Sequence, residues 1–373
     1  MGQRRQRQST RPRIRTRPDP QLAARDARLR YVNADGAGIR RLGTPSRFRY
    51  LAADGHPIRD RGELQRIRQL AIPPAWKDVW ICAYPNGHLQ ATGRDARGRK
   101  QYRYHPRWRV VRDANKYASL LDFGNALERI RTQVETDLTH AGFPREKVLA
   151  MLVRLLETTF VRVGNESYAR ENGSFGLTTL KNRHVRLARS GLRLLFRGKS
   201  GVRHDVMVTD RRLARLVQRC RELPGQDLFQ YLDADGAPQP ISSTDVNEYL
   251  KAAAGAEFTA KDFRTWAGTL LAVRYLSEHA GELDGDVPAK TISVALVKHV
   301  ADSLRNTPAV CRSCYIHPLV LNAISDASHR KLLRQALNGR DEQSDDRQWE
   351  EALRRFLRAE QAAERRDDQA SSG

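Results

Sequence analysis

The chain has 373 residues, with 66 Lys and Arg against 43 Asp and Glu, so its formal net charge is +23 and its pI is near 10.5. A chain of this length accommodates two ordinary domains and tails, because domains commonly run to about 100–200 residues. The charge predicts a polyanionic partner. A mean hydropathy of -0.65, without an apolar run of spanning length, excludes a membrane protein and leaves nucleic acid as the expected partner.

The first predicted elements follow a basic arm. Residues 1–25 open with "MGQRRQRQSTRPRIRTRP", which holds seven Arg and no acid, and we expect this arm to be disordered. Residues 26–115 show short β-like runs. "VWICAY" and "HLQAT" flank Asn86-Gly87, a strong hairpin signal, and "RKQYRY" follows the turn at "DARG". We predict a strand-rich DNA-binding domain here.

The stretch "ATGRDARGRKQYRYHPRWR" interleaves cations with aromatic residues and contains one acid. On a strand, Gln101 and Arg103 share one face, and Lys100 shares the other with the tyrosines, so polar groups are placed to meet phosphates and base edges. The alternative is a solvated charged strand whose tyrosines pack inward. The candidate DNA contacts are Arg94, Arg99, Lys100, Gln101, Tyr102 and Tyr104.

Residues 116–345 change to a helical period. The run "EKVLAMLVRLLETTFVRV" predicts a long helix that continues through Val163. Within this domain, the alternation in "GLRLLFRGKSGVRHDVMV" predicts a hairpin with Lys199 at its tip. Its inward residues are predicted to be Leu192, Leu194, Phe196, Val202, Val206 and Val208.

Two later helix starts carry N-cap signals. Thr259 precedes Asp262 by three residues, as in a capping box. Thr307-Pro308 is typical of an N-cap followed by Pro at the first helical position, which predicts a short helix that carries Tyr315. Residues 346–373 are expected to form a C-terminal helix followed by a disordered tail.

The four cysteines are too few and too scattered for a disulfide framework, which favours a reducing compartment. Cys311 and Cys314 form a C-x-x-C, but no second pair of ligands follows to complete a zinc site. We therefore assign them to packing and predict no metal.

Four further residues are uninformative individually. Arg162 could cap its helix, Lys199 could be a solvated tip, and Arg264 could pair with a surface acid. Tyr315 could simply lie in the core. Their surroundings, taken in order, are "FVRVGN", "FRGKSG", "KDFRTWAGT" and "NTPAVCRSCYIHP".

These four segments together resemble the catalytic domain of type IB DNA topoisomerases, in the short single-polypeptide branch of bacteria and poxviruses. The segments "LAIPPAWKDVWICAYPNGHLQATGRDARGRKQYRYH" and "NGSFGLTTLKNRHV" extend the resemblance over about residues 30 to 340. It implies that Tyr315 is the nucleophile, Arg162 and Arg264 bind the phosphate, and Lys199 is the general acid. Lys261 matches a further basic residue near the scissile phosphate.

One position departs from the family. The family usually has a histidine nine residues before the tyrosine, and this chain has Asn306 there. An asparagine still donates a hydrogen bond to a phosphate oxygen, but it carries no charge. Asn306 therefore completes the set of candidate catalytic residues, with an effect on rate left open.

The resemblance implies an α+β fold in which a small strand-rich domain and a mainly helical catalytic domain with a β-hairpin form a clamp around duplex DNA. It implies relaxation of supercoils through a 3′-phosphotyrosine, with no cofactor, ATP or metal. We expect a monomer on the bacterial nucleoid in the cytoplasm, with double-stranded DNA as partner and no membrane.

Two alternatives stay open at this point. A tyrosine recombinase shares this catalytic chemistry, but recombinases usually place His where Lys261 stands, and their N-terminal domain is helical. A non-enzymatic nucleoid DNA-binding protein explains the charge and the arm, but it does not explain the ordered constellation.

Overall fold

The structure is a computed structural model that describes residues 20–45, 47–96, 98, 100–108, 117, 119–338, 340 and 343–371. The described residues form two compact units that divide between Ser119 and Leu120. The first unit is rich in strands and the second is mainly helical, so the predicted α+β class is confirmed. Within the described ranges, no helix combines the length and apolarity needed to cross a bilayer.

The first unit is built on one antiparallel sheet with strand order β2-β1-β3-β4-β5. Its strands are β1 (Ile39–Leu42), β2 (Arg49–Leu51), β3 (Lys77–Ile81), β4 (Leu89–Arg94) and β5 (Lys100–Tyr104), and its helices are α1 (Pro20–Asp26) and α2 (Arg61–Gln69). Apolar side chains from α2 and the central strands form its core, with Ile67, Val79 and Ile81 buried. The amphipathic face of α2 thus covers one face of the sheet.

The hairpin of β3 and β4 is confirmed, but its turn differs from the prediction. Ile81 pairs with Ala91, which leaves a longer loop than a two-residue Asn-Gly turn. The Gly87 backbone N–H bonds to the Tyr84 carbonyl at 3.0 Å, so Pro85 occupies the second position of the turn and Gly87 the last. Proline fixes a negative φ there, which favours this turn over the mirror-image type that Asn-Gly usually forms.

The prediction of a disordered arm over residues 1–25 is corrected at residues 20–25, which are helical. Helix α1 occupies residues that we had assigned to the end of that arm, and Ala23 and Ala24 pack with Leu29 and Trp108 in a small apolar cluster. This burial orders the end of the arm, and residues 1–19 lie outside the described residues.

The second unit contains twelve described α-helices and two small sheets. Its helices are α3 (Leu120–Leu138), α4 (Arg145–Thr159), α5 (Glu166–Asn172), α6 (Arg211–Arg221), α7 (Ser243–Ala254), α8 (Ala260–Glu278), α9 (Ala280–Asp284), α10 (Ala289–Ser303), α11 (Pro308–Cys314), α12 (Pro318–Ser325), α13 (Ala327–Leu337) and α14 (Asp346–Ser371). Its strands are β6 (Val185–Ala188), β7 (Gly191–Arg197), β8 (Arg203–Val208), β9 (Gln230–Leu232) and β10 (Pro238–Pro240). Helices α4 and α8 are buried along most of their length and form the centre of the core.

Helix α4 ends earlier than its apolar period predicts. Its last residue is Thr159, and Phe160 follows in the left-handed conformation at φ 56°. The Thr159 hydroxyl also bonds to the Leu155 carbonyl, an interaction that competes with regular helix bonding. Arg162 and Val163 therefore lie on the segment beyond the helix.

The predicted hairpin is confirmed as β7 and β8, with a 3₁₀ turn at Lys199–Gly201 as its tip. A third strand, β6, pairs with β7 and was not predicted. Val202 is exposed because it lies in the tip, and His204 takes the inward place before Val206 and Val208. The prediction that Val202 points inward is therefore wrong, and the other five residues predicted to point inward are buried.

The predicted disordered tail is also corrected, because α14 continues to Ser371. Apolar side chains near its start, including Leu353 and Phe356, lie in the core. Arg131 on α3 pairs with Glu157 on α4 at 2.7 Å and with Glu350 on α14 at 2.6 Å. The following sequence is rich in Ala, Glu, Gln and Arg, which are strong helix formers, and this propensity extends the anchored helix.

Candidate active site

Arg264 is the buried centre of the candidate site. It lies one turn into α8, which begins at a capping box in which the Thr259 N–H and hydroxyl both donate to Asp262. Its side chain is 3% exposed. Its Nη2 donates to the Leu304 carbonyl at 2.9 Å and its Nη1 donates to the Phe160 carbonyl. The predicted alternative, in which Arg264 pairs with a surface acid, is wrong.

Both carbonyls belong to the C-terminal caps of helices. Phe160 caps α4 and Leu304 caps α10, and such carbonyls carry the partial negative charge of a helix end. They hold the guanidinium in place without neutralising it. Burial lowers the pKa of Arg264, the neighbouring Arg162 lowers it further, and Tyr315 opposes both. The Nε atom is buried and has no hydrogen-bond partner among the described residues, so its N–H is also left available to a ligand.

Tyr315 lies against this guanidinium. The Arg264 Cζ is 4.9 Å from the centroid of the Tyr315 ring, and the tyrosine is 8% exposed. Thr307 caps α11 as predicted, since its hydroxyl accepts from the Val310 N–H, and Tyr315 caps the other end of this helix. A Cβ at Gly268 would lie 2.6 Å from the Tyr315 carbonyl oxygen, so glycine on α8 allows the close approach.

Arg162 lies on the segment after α4, where it is half-buried. Its backbone carbonyl accepts from the Leu177 N–H at 2.9 Å, which ties this segment to the following 3₁₀ turn. Its charge lowers the pKa of Arg264, His204 and Cys311, so its guanidinium is within electrostatic range of all three. No hydrogen bond or ion pair of its guanidinium occurs within the part of the chain that the structure describes. The charge is therefore available to a ligand.

Asn306 follows a Schellman motif that ends α10. Its N–H bonds to the Ala301 carbonyl at 2.9 Å, the Arg305 N–H bonds to Asp302 at 3.2 Å, and Arg305 takes the left-handed conformation at φ 49°. The Asn306 Oδ1 accepts from the Thr307 N–H at 3.0 Å. Its Nδ2 is buried and unpaired within the described ranges. An unpaired buried donor is costly, which marks this amide as a candidate ligand group.

The two candidate lysines are exposed. Lys199 lies at the hairpin tip, and Lys261 lies on the exposed side of the first turn of α8. Among the described residues, neither ammonium group forms a hydrogen bond or ion pair. The structure thus brings Arg264, Arg162 and Tyr315 together, places Asn306 two residues after Leu304, whose carbonyl binds Arg264, and leaves both ammonium groups exposed.

Two nearby residues were missed by the sequence analysis. His204 on β8 is buried, and Arg305 donates from Nη2 to the Asp205 carbonyl at 2.9 Å, which links the segment after α10 to the hairpin. The signal for His204 was available, because the two-residue period places it on the face of Val206 and Val208. No sequence signal pointed to Arg305.

The second candidate surface is strand β5 in the first unit. Lys100, Tyr102 and Tyr104 share one face as predicted. The two tyrosine rings stack with their centroids 6.0 Å apart, and the Lys100 ammonium lies 5.9 Å from the Tyr102 ring centroid. Tyr102 is 47% exposed, so it does not pack inward. Gln101 Nε2 donates to Asp95 at 2.9 Å on the other face.

The other candidates in this region differ in how they are held. Arg103 Nη2 donates to the Ala71 carbonyl at 2.7 Å, and Arg94 Nη1 donates to the Gly98 carbonyl at 2.9 Å. Arg99 lies outside the described residues. The face of Lys100 and Tyr102 is therefore the part of β5 that is open to a ligand.

The cysteine pair lies beside the candidate site. Cys311 is fully buried in the core and Cys314 is half-buried against it, both as free thiols. Burial raises the pKa of Cys311 to about 11, so it is an unreactive thiol at neutral pH. Within the described ranges, no group of three or more His, Cys, Asp or Glu side chains is placed to hold a metal ion. The burial of Cys311 in the core, with Cys314 packed against it, supports the assignment of the pair to packing.

Two family models match the chain. The model described as "Eukaryotic DNA topoisomerase I, catalytic core" matches residues 105–337, and the model described as "Bacterial DNA topoisomerase IB, N-terminal domain" matches residues 47–95. All six candidate catalytic residues lie in the first match.

Curated viral proteins are also similar. DNA topoisomerase 1B of Acanthamoeba polyphaga mimivirus is 32% identical over 254 residues, which cover 66% of this chain and 75% of that protein. DNA topoisomerase 1B of Vaccinia virus (strain Copenhagen) is 22% identical over 235 residues, which cover 63% of this chain and 72% of that protein. DNA topoisomerase 1 of Rabbit fibroma virus (strain Kasza) is 25% identical over 242 residues, with the same coverage of 63% and 72%.

Proposed function

The chain belongs to the type IB DNA topoisomerase family, and from this premise we propose that it relaxes supercoiled duplex DNA by cutting and resealing one strand through Tyr315. The observation that carries the choice of site is the buried Arg264 guanidinium, which two helix-end carbonyls hold 4.9 Å from the Tyr315 ring. The recombinase and nucleoid-protein alternatives find no support in these matches.

The proposed cleavage begins with attack of the Tyr315 phenol oxygen on the scissile phosphorus. A phenol has an ordinary pKa of about 10, so it must pass its proton to solvent water as it attacks, and nearby cations favour the phenolate. Arg162 and Arg264 supply these cations. Their guanidinium groups also bind the non-bridging oxygens, whose charge grows in the pentacoordinate transition state. We propose that this pair replaces the Mg²⁺ that many phosphoryl-transfer enzymes use.

The leaving group needs a proton. As the bond between phosphorus and the 5′ oxygen breaks, that oxygen takes a proton from the Lys199 ammonium, and the phosphorus stays on Tyr315 as a 3′-phosphotyrosine. Lys261 adds positive charge near the phosphate, and the Asn306 Nδ2 donates to it. The ester retains the energy of the broken bond, so the 5′ hydroxyl attacks back without ATP after the free end has rotated.

The strand-rich unit supplies a second DNA contact in this proposal. The exposed face of Lys100 and Tyr102, supported by Arg94 and Arg99, binds phosphates and base edges. We propose that residues 26–115 form this DNA-binding domain, that residues 116–345 form the catalytic domain, and that together they act as a clamp. The net charge of +23 supports DNA as the partner. We propose that the protein acts as a monomer on the bacterial nucleoid in the cytoplasm.

Covalent trapping tests the proposal. The protein is incubated with a suicide duplex that loses the strand beyond the cut, and the adduct is separated on a denaturing gel in the presence of excess EDTA. We expect an adduct with the parent chain and none with Tyr315→Phe, which removes only the nucleophilic oxygen and should still bind the duplex. Relaxation of a supercoiled plasmid by Tyr315→Phe, or a strict requirement for Mg²⁺, would refute it.

A further inference from the structure

His204 is a buried imidazole that the proposed chemistry does not use. It lies on β8, is 4% exposed, and stacks on Phe196 with ring centroids 4.6 Å apart. Its Nδ1 is buried and has no hydrogen-bond partner in the part of the chain described. A leucine would fill this inward position without leaving a polar atom unpaired, so packing alone does not account for a histidine here.

The ring supports the turn that carries Lys199. A Cβ at Gly198 would lie 2.5 Å from the His204 Nε2, so only glycine leaves room for the imidazole beneath the turn. The turn closes where the Gly198 N–H bonds to the Val202 carbonyl at 2.8 Å. The ring therefore contacts the backbone immediately before Lys199, at the residue whose N–H closes the turn.

The same ring lies close to the phosphate-binding cations. Burial and, in decreasing order, the charges of Arg305, Arg162 and Arg264 together lower the pKa of His204 to about 4. The imidazole is consequently neutral at neutral pH and can lie beside these guanidinium groups without repulsion. Arg305 also bonds to the carbonyl of Asp205, the next residue on β8, so this edge of the hairpin is attached to the segment that carries Asn306.

We propose that His204 is a positioning residue, which fixes the Lys199 turn relative to Arg162 and Arg264 so that the ammonium reaches the leaving oxygen. This inference rests on the proposed role of Lys199 as general acid. A positioning role can be distinguished from a space-filling role by measurement, because a misplaced Lys199 slows only the protonation of the leaving 5′ oxygen.

A sulfur atom at the leaving position separates the two roles. When sulfur replaces the bridging 5′ oxygen, the bond between phosphorus and sulfur breaks and a thiolate leaves without a proton, since thiols ionise at a pKa of about 8.5. Loss of the general acid therefore costs little with the sulfur substrate. A defect in phosphate binding or in folding slows both substrates.

The experiment measures single-turnover cleavage of two matched suicide duplexes, one with oxygen and one with sulfur at this position. We expect Lys199→Ala to lose about 100- to 10,000-fold with oxygen, the range of general acid catalysis, and to recover most of this with sulfur. We expect His204→Ala to lose about 10- to 100-fold with oxygen and less than about 3-fold with sulfur, because its acid is present but misplaced.

His184 provides the matched control. It is a second buried imidazole, it lies 6.4 Å from Phe196 on the side of Phe175, and its Nδ1 accepts from the Lys181 N–H. His184→Ala therefore removes similar packing without touching the turn, and it should slow both substrates by the same factor. Equal defects of folded His204→Ala on both substrates, or no defect on either, would overturn the inference.

Gly198→Ala keeps the inference testable if His204→Ala does not fold. The added methyl group would collide with the His204 ring and displace the turn, so this variant should also cleave the oxygen substrate slowly and the sulfur substrate at nearly the parental rate. In the His204→Ala background the methyl group has room, so adding Gly198→Ala should slow cleavage of the oxygen substrate by a smaller factor than it does in the parent chain.

If the sulfur substrate does not restore cleavage by Lys199→Ala, the general acid assignment itself fails. If the sulfur substrate restores cleavage by Lys199→Ala but restores neither Gly198→Ala nor His204→Ala, only the role of His204 fails.

Discussion

The two regions that we assign to DNA hold their cations in opposite ways. Arg264 in the helical unit is 3% exposed and bonded to two carbonyls, so its guanidinium has one position. Lys100 on β5 is exposed, and among the described residues its ammonium lies 5.9 Å from the Tyr102 ring centroid without a hydrogen bond or ion pair to fix it. A fixed, desolvated cation stabilises a charge that develops at one point. A mobile, hydrated cation attracts phosphates wherever they pass.

This difference predicts that the buried Arg264 governs the rate of cleavage and that the exposed Lys100 of β5 governs affinity. Variants of Arg264 should lower the rate at saturating DNA, and variants of Lys100 should lower binding without changing that rate. The predictions below test this separation, from the largest expected effect to the smallest.

Arg264→Ala should have the largest effect. It removes a charge and several donors at the phosphate, and it leaves the carbonyls of Phe160 and Leu304 buried without this partner. We expect single-turnover cleavage to fall by more than about 1000-fold, with a lower melting temperature. Arg264→Lys keeps the charge but cannot reach both carbonyls with a planar fork, so it should be intermediate.

Arg274 on the same helix is the control for this prediction. Its guanidinium pairs with Asp346 at 2.5 Å and lies 5.5 Å from the Trp349 ring centroid, outside the candidate site. Arg274→Ala should lower stability and leave the cleavage rate near that of the parent. A cleavage rate for folded Arg264→Ala within about 10-fold of the parent would contradict the assignment of this guanidinium to the phosphate.

Local signals in the sequence account for the parts of the site that are local in structure. The alternation of Leu192, Leu194 and Phe196 predicts the hairpin, and Thr307-Pro308 predicts the helix that ends at Tyr315. These elements were predicted because their patterns depend on residues a few positions apart.

The parts that were not predicted depend on long-range contacts. The two carbonyls that hold Arg264 lie 104 and 40 residues away in sequence. Both lack intrahelical partners because they stand at the ends of helices, and sequence patterns locate helix ends poorly. The position of Arg162 depends on the left-handed Phe160. The family resemblance indicates these residues, but it does not indicate what orients them.

Asn306→Ala should have the second largest effect. If the unpaired Nδ2 donates to a phosphate oxygen, its loss should slow cleavage by about 10- to 1000-fold, the range for one preorganised donor. The loss should be smaller than for Arg264→Ala, because no charge is removed. Asn306→His should be tolerated or faster, since a neutral imidazole still donates from one nitrogen.

Two variants separate this donor from helix capping. Thr307→Ala removes the N-cap bond to Val310, which costs about 1 kcal/mol of stability, and leaves the Asn306 amide in place. Asn306→Asp keeps the oxygen that accepts from the Thr307 N–H and loses the donor. We expect Thr307→Ala to cleave nearly as fast as the parent and Asn306→Asp to be at least as slow as Asn306→Ala. Parental rates for Asn306→Ala would show that the amide serves only the backbone.

The smallest effect is expected on β5, and it should appear in affinity alone. Binding is measured in the Tyr315→Phe background, so that no cleavage occurs, as a function of salt concentration. If Lys100 neutralises one phosphate, Lys100→Ala should reduce the log–log salt slope by about 0.9, because one fewer counterion is released on binding. Tyr102→Ala should weaken binding by a few-fold with an unchanged slope, since a neutral ring displaces no counterion. Arg103→Ala is the control, because this guanidinium is bonded to the Ala71 carbonyl on the opposite face and should contribute little to the slope.

In chains that retain Tyr315, Lys100→Ala and Tyr102→Ala should cleave at the parental rate once DNA is saturating. A slower rate at saturation would mean that β5 also orients the scissile phosphate, and the separation between fixed and mobile cations would then be wrong.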